Sequence, residues 1–246
     1  MKIYLDAGHG GNDPGACANG LKEKDLTLEA ALEIGKRLEA TGVQVVYSRK
    51  TDVNAGEVFS RGKKAAGCDY FLSLHFNAGG GIGSEIYCNC RETIGATEAK
   101  LRDAIMPYVG HRKIASRRYD NGAFVPRTVG STAPHRFAET INAQDYYGVL
   151  RGCWTAGVSG DLLEIAFIDN AKNLNAYLDN KSKVWDGIAS AICAAFKITA
   201  APVQPEPVPT GTQLFTLTTS PASTGDIKNL KAQCAALGLK TTVVEV

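Results

Sequence analysis

Two histidines and two glutamates in this sequence could together do metal chemistry. His9 leaves the turn Gly8-His9-Gly10-Gly11, directly after an apolar run. There an imidazole is a ligand, part of an anion-binding loop, or an ordinary turn residue, and the loop lacks the Lys-Ser/Thr ending of a nucleotide site. Glu23 stands just before a helix that starts near Asp25, where an acidic side chain also serves simply to complement the helix dipole. His75 closes the run Tyr-Phe-Leu-Ser-Leu-His over residues 70–75; a strand-end histidine alone reads as structural. Two imidazoles and a carboxylate with room for water form a catalytic zinc set, whereas structural zinc prefers four closed ligands rich in cysteine. Glu164 ends the apolar run that starts at Asp161, and a carboxylate there costs free energy unless it is paired or used. Beside a zinc-bound water it is a general base that later returns the proton to the departing amine; the alternative is a salt bridge to Arg49 or Arg61. Asn77, two residues past His75, is a candidate for hydrogen-bonding substrate or orienting a ligand, and equally for capping a turn.

These residues must be brought together by the elements between them. Residues 2–6 read as a strand, 25–41 as a helix stopped by Gly42, 43–48 as a strand, 57–66 as a helix and 70–75 as a strand broken by glycines at 79–83. Further strands are expected at 84–89, 146–150 and 161–165, with helices at 93–109 and 183–197. Strands separated by helices imply an α/β fold, a mostly parallel twisted sheet with helices on both faces. If the strands are parallel, His9 and His75 open onto one sheet edge, where such folds place their sites.

The chain has 246 residues, of which 44% are hydrophobic and 21% charged. That is ordinary for a globular protein and excludes disordered and fibrous classes. With 27 basic against 25 acidic residues the net charge is +2, too small for the positive field that nucleic acid selects, so no nucleic-acid partner is expected. No apolar run approaches the ~20 residues of a membrane helix, so no membrane span is expected. The first residues read directly as a strand rather than as a signal peptide. Seven cysteines, at 17, 68, 88, 90, 153, 193 and 234, fit neither a disulfide framework nor paired zinc knuckles and suggest a reducing compartment during synthesis. Cys88 and Cys90 should point to opposite faces of a strand, which disfavours joint ligation.

Four stretches then resemble one family in order: Ile-Tyr-Leu-Asp-Ala-Gly-His-Gly-Gly-Asn-Asp-Pro-Gly-Ala, Asn-Gly-Leu-Lys-Glu-Lys-Asp-Leu, Phe-Leu-Ser-Leu-His-Phe-Asn-Ala and Leu-Leu-Glu-Ile-Ala-Phe-Ile-Asp-Asn. Over about residues 1–198 the chain is similar to the zinc-dependent N-acetylmuramoyl-L-alanine amidases of the type-3 amidase family. The resemblance implies that His9, Glu23 and His75 bind one Zn2+ and that Glu164 is the catalytic carboxylate. The implied substrate is peptidoglycan, cut at the amide between N-acetylmuramic acid and the L-alanine of the stem peptide. Arg49, Asp52 and Arg61 also fit the family pattern, as structural ion pairs near the site.

Two segments depart from it. Residues 111–145 are longer than usual and carry His111, Arg112, Lys113, Arg117, Arg118 and His135. They read as an extended loop that lines a substrate groove and whose basic cluster attracts acidic stem peptides or anionic wall polymers or, preferably, as a solvated surface loop; His135 stays open as a substitute ligand. After a proline-rich linker at 199–212, residues 213–246 show a strand, a helix and a strand. This small C-terminal unit resembles one half of a sporulation-related (SPOR) glycan-binding module. A half-module leaves sheet edges bare, so homodimer formation through 213–246 is expected. The setting is cytoplasmic synthesis without a signal peptide, with action on the wall after holin-type release or mother-cell lysis. A phage endolysin is favoured over an autolysin of the dying mother cell. Other classes are a zinc peptidase cutting the stem peptide, a non-catalytic wall-binding protein and a metal-free nucleotide-binding protein.

Overall fold

The computed structural model describes residues 1–89, 92, 94–120, 123–128 and 144–199. In chain order they form β1 (Lys2–Ala7), β2 (Cys17–Ala18), β3 (Leu21–Lys22), α1 (Glu23–Glu39), β4 (Gln44–Tyr47), α2 (Val58–Lys63), β5 (Tyr70–Asn77) and β6 (Ser84–Cys88). These are followed by α3 (Ala96–Val109), β7 (His111–Asp120), β8 (Ala123–Thr128), β9 (Gln144–Asp145), α4 (Gly148–Thr155), β10 (Gly160–Phe167) and α5 (Ala171–Ala195). One mixed, mostly parallel sheet runs in the order β4-β1-β5-β10-β6-β7-β8, with β9 beside β7. The strands from β4 to β10 are mutually parallel, β6 is antiparallel to β10, and β7 runs parallel to β6.

Alternation along the strands decides which layer each residue joins. Ile3, Leu5, Leu72, Leu74, Leu163 and Ile165 face one way and form a core with Ile34 and Leu38 of α1, Leu101 and Ile105 of α3 and Tyr177, Ile188 and Ile192 of α5. Tyr4, Phe71, Tyr87 and Leu162 face the other way and pack with Val149, Leu150 and Cys153 of α4. The helices therefore lie on both faces, as the alternating pattern required. The site residues share the second face, because Glu164 stands in register with His75 on one side and Glu85 on the other.

Three expectations are corrected. Residues 146–150 are not a strand; α4 begins at Gly148, and Val149, Leu150 and Cys153 at helical spacing bury one face. The last helix starts twelve residues before the expected 183, at Ala171, where the Asn170 side chain accepts from Asn173 N at 3.1 Å and caps it. The segment from 111 is not a loop: β7 and β8 pair antiparallel, and β7 also holds β9. His135, Cys90, the linker beyond Thr199 and the half-module over 213–246 lie outside the described residues.

Candidate metal centre

The turn after β1 carries His9 in the left-handed backbone region, at φ 61°, a conformation a non-glycine residue holds only when its surroundings impose it. Gly10 and Asp13 exchange backbone hydrogen bonds of 3.0 and 3.2 Å across the turn. Arg49 secures its base by donating to Ala7 O, Gly8 O and Lys24 O. Gly8 is needed for space rather than for its torsion, since a Cβ there would stand 2.4 Å from Cε1 of His75. A Cβ at Gly15 would likewise stand 2.6 Å from both Glu23 Oε2 and His9 Cδ2.

Glu23, the first residue of α1, is buried and points at both imidazoles. Its Oε2 lies 3.0 Å from His9 Nε2, and its Oε1 lies 2.9 Å from His75 Nδ1. Backbone N–H groups of Ala16 and Phe76 donate to the same two oxygens. Burial pushes this carboxyl up, but the hydrogen bonds and charges of His75 and His9 outweigh it and hold it well below the usual range. His9 Nδ1 lies 2.8 Å from Asp13 Oδ2, an outer carboxylate of the kind that fixes tautomer and ring orientation in metal sites and leaves Nε2 for the ion. Burial alone lowers the His9 pKa, and its contacts with Glu23 and Asp13 bring it above its ordinary value. The structure thus brings His9, Glu23 and His75 together, with one donor atom from each lying within 4.8 Å of the others.

Glu164 projects into the same cavity, which His9, His75, Arg61, Tyr147 and Leu162 also line. Among the described residues its Oε2 is buried without a hydrogen-bond partner. Neither expected salt bridge forms, because Arg61 is committed to Asp6 through bonds of 3.1 and 2.7 Å. Burial raises the Glu164 pKa to about 7, with His75 pulling it down and Glu23 and Glu85 pushing it up. Asp52 pairs with Lys24, and Arg49 holds carbonyls rather than a carboxylate. Asn77 donates to Glu85 Oε2 at 2.9 Å and accepts from Ala78 N at 2.8 Å.

The donor chemistry fits zinc: two imidazoles, one carboxylate, a second-layer carboxylate and glycines that leave room. The sequence assigned no role to Glu85, nor to Asp13, which lies inside the first family stretch. Asp13 sits four residues after His9, a spacing that means nothing until the turn folds back, and Glu85 matters only through register.

Several known proteins resemble the chain. Over 108 residues it is 45% identical to N-acetylmuramoyl-L-alanine amidase CwlM of Bacillus licheniformis, an alignment covering 42% of this chain and 41% of that protein. Over 111 residues it is 40% identical to the endolysin of Bacillus phage SPP1, covering 42% and 41%. The chain thus spans about two fifths of the length of these curated relatives. The solved structure of N-acetylmuramoyl-L-alanine amidase AmiC2 of Nostoc punctiforme superposes with a TM-score of 0.61 at 22% identity, covering 80% of this chain and 97% of that one, a likeness of fold. Residues 3–194 match the family Amidase_3, described as N-acetylmuramoyl-L-alanine amidase, and the chain belongs to that family.

Proposed function

We propose that this chain is a zinc-dependent hydrolase of peptidoglycan that cuts the amide between N-acetylmuramic acid and the L-alanine of the stem peptide. The observation that carries the reading is the unpartnered Glu164 oxygen in the cavity that His9 and His75 line. A buried carboxyl without a partner is costly unless it has work to do. His9, Glu23 and His75 hold the ion, with His9 oriented by Asp13. When bound, zinc supplies Lewis acidity toward the amide carbonyl and toward water. Glu164 takes the proton of the attacking water and passes it to the departing amine of alanine; a pKa near neutrality suits both transfers. Arg61, clamped on buried Asp6, keeps its charge away from Glu164 and leaves that carboxyl free to titrate. Asn77 acts on the substrate side by holding Glu85.

The test is digestion of purified walls by protein of measured zinc content. New alanine amino termini and intact stem peptides are expected, with activity abolished by chelator and restored by zinc. Release of amino acids or shortened peptides would instead identify a peptidase, and no release from zinc-loaded protein would leave only wall binding. Relatives include both a sporulation-specific amidase of Bacillus subtilis and a phage endolysin. We favour the endolysin setting, with release to the wall through a membrane pore. Homodimer formation through 213–246 belongs to the same proposal; monomeric masses for both the full chain and one ending near residue 200, by light scattering, would dismiss it.

A further inference from the structure

One row of side chains crosses the sheet on the face of the cavity. His75, Glu164, Glu85 and Lys113 are register partners on β5, β10, β6 and β7, so Lys113 stands two strand spacings, about 10 Å, from Glu164. Glu85 is buried and already satisfied at Oε2 by the Tyr87 hydroxyl at 2.6 Å and by Asn77. Two cations nevertheless converge on its Oε1: Arg112 Nε at 3.1 Å and Lys113 Nζ at 3.2 Å. Consecutive strand residues ordinarily point to opposite faces. Here the β6–β7 pairing steps from Ser84↔His111 to Glu85↔Lys113, leaving Arg112 as the extra residue of a bulge, a device that re-aims side chains beside active sites. Arg112 then lies over the Phe167 ring at 5.7 Å, against Gly81, where a Cβ would stand 2.5 Å from its Nη1. Its side chain is 51% exposed and that of Lys113 23%. One carboxylate facing two cations leaves an accessible surplus of one positive charge.

We propose that Arg112 and Lys113, docked on Glu85, form the subsite for a stem-peptide carboxylate, the free α-carboxylate of the residue that follows L-alanine. This rests on the amidase reading, which fixes the scissile amide at Glu164. One residue further along an extended peptide is about 3.5 Å, and the long basic side chains span the remaining distance. A guanidinium and an ammonium that keep a partly exposed face are suited to a carboxylate and bind its amide more weakly, since the neutral oxygen accepts without the charge.

The experiment compares two soluble substrates, N-acetylmuramoyl-L-alanyl-D-glutamate and its α-amide, with zinc-loaded full-length chain. The wild type is expected to prefer the carboxylate by about tenfold or more in kcat/KM, the scale of a charged hydrogen bond. Arg112→Gln and Lys113→Gln are expected to shrink that ratio toward one by raising KM for the carboxylate substrate, while Lys113→Arg restores most of it. Lys36→Gln, on α1 and exposed, controls for bulk charge and should leave the ratio alone. Thermal melts check folding, and half-exposed Arg112 carries the test if Lys113→Gln unfolds. Equal wild-type rates on the two substrates would overturn the subsite and leave the amidase intact. Cleavage of neither, when walls also stay intact, would overturn both. Loss confined to walls bearing teichoic acid, with the soluble ratio unchanged, would assign the cations to anionic polymer and also overturn the subsite.

Discussion

Strand β10 buries two carboxyls three residues apart, and they have opposite fates. Among the described residues Asp161 Oδ1 and Glu164 Oε2 are both buried without hydrogen-bond partners. Asp161 lies on the face closed by α1, α3 and α5, where the Tyr70 hydroxyl donates to its Oδ2 at 2.6 Å. Burial, reinforced by the nearby carboxyls of Glu98 and Glu92, pushes its pKa well above the ordinary value. Glu164 is raised by burial too, but His75 pulls it back to about 7. Burial alone therefore does not make a proton carrier. An adjoining cavity and imidazoles on one side of the strand separate the working carboxyl from the silent one.

The comparison is tested most severely by Glu164→Gln. With zinc retained, turnover on purified walls should fall at least ~100-fold, and wild-type turnover would end the assignment. The same substitution should act on stability in the metal-free protein, with the sign set by linkage. A carboxyl whose pKa rises on folding from 4.5 to about 7 weakens the native state as pH climbs through that window. Glu164→Gln should therefore stabilise the chelated protein by up to about 3 kcal/mol at pH 8 and by almost nothing at pH 4, read from denaturant melts at both values. Asp13→Asn, which weakens the outer hold on His9, should cost about 10- to 100-fold in zinc affinity while the fold melts as before. Asp161→Asn should do least: replacing this group, away from the cavity, by its near-isostere should cost under about 1.5 kcal/mol and leave turnover on walls unchanged. A large loss of turnover in that last variant would mean that the two carboxyls are not as different as their surroundings.

The strands of the parallel half were legible as short apolar runs, and His9 and Glu23 stood at element boundaries, whereas His75 and Glu164, read as strand ends, lie inside β5 and β10, which run on to Asn77 and Phe167. Tyr146–Leu150 misled for a physical reason. Aromatic and branched residues favour strands locally, but burial of Val149, Leu150 and Cys153 against the sheet selected a helix. The early turns of α5 hid behind polar residues, since its first fully buried apolar side chain is Leu174. Glu85 and Asp13 were illegible for a different reason. A partner supplied by register across strands, or by a turn folding back, leaves no periodic trace. The basic residues at 112 and 113 were visible as charge, and only the bulge shows that both reach one carboxylate.

Gly8 sets a practical limit on redesign. Its hydrogen atoms lie against the His75 ring where any larger substituent would collide, so libraries that vary the first loop and select for lysis should return glycine at that position almost without exception. Retargeting the protein toward other walls is better attempted from the start of β7, where Arg112 and Lys113 are long and partly solvated.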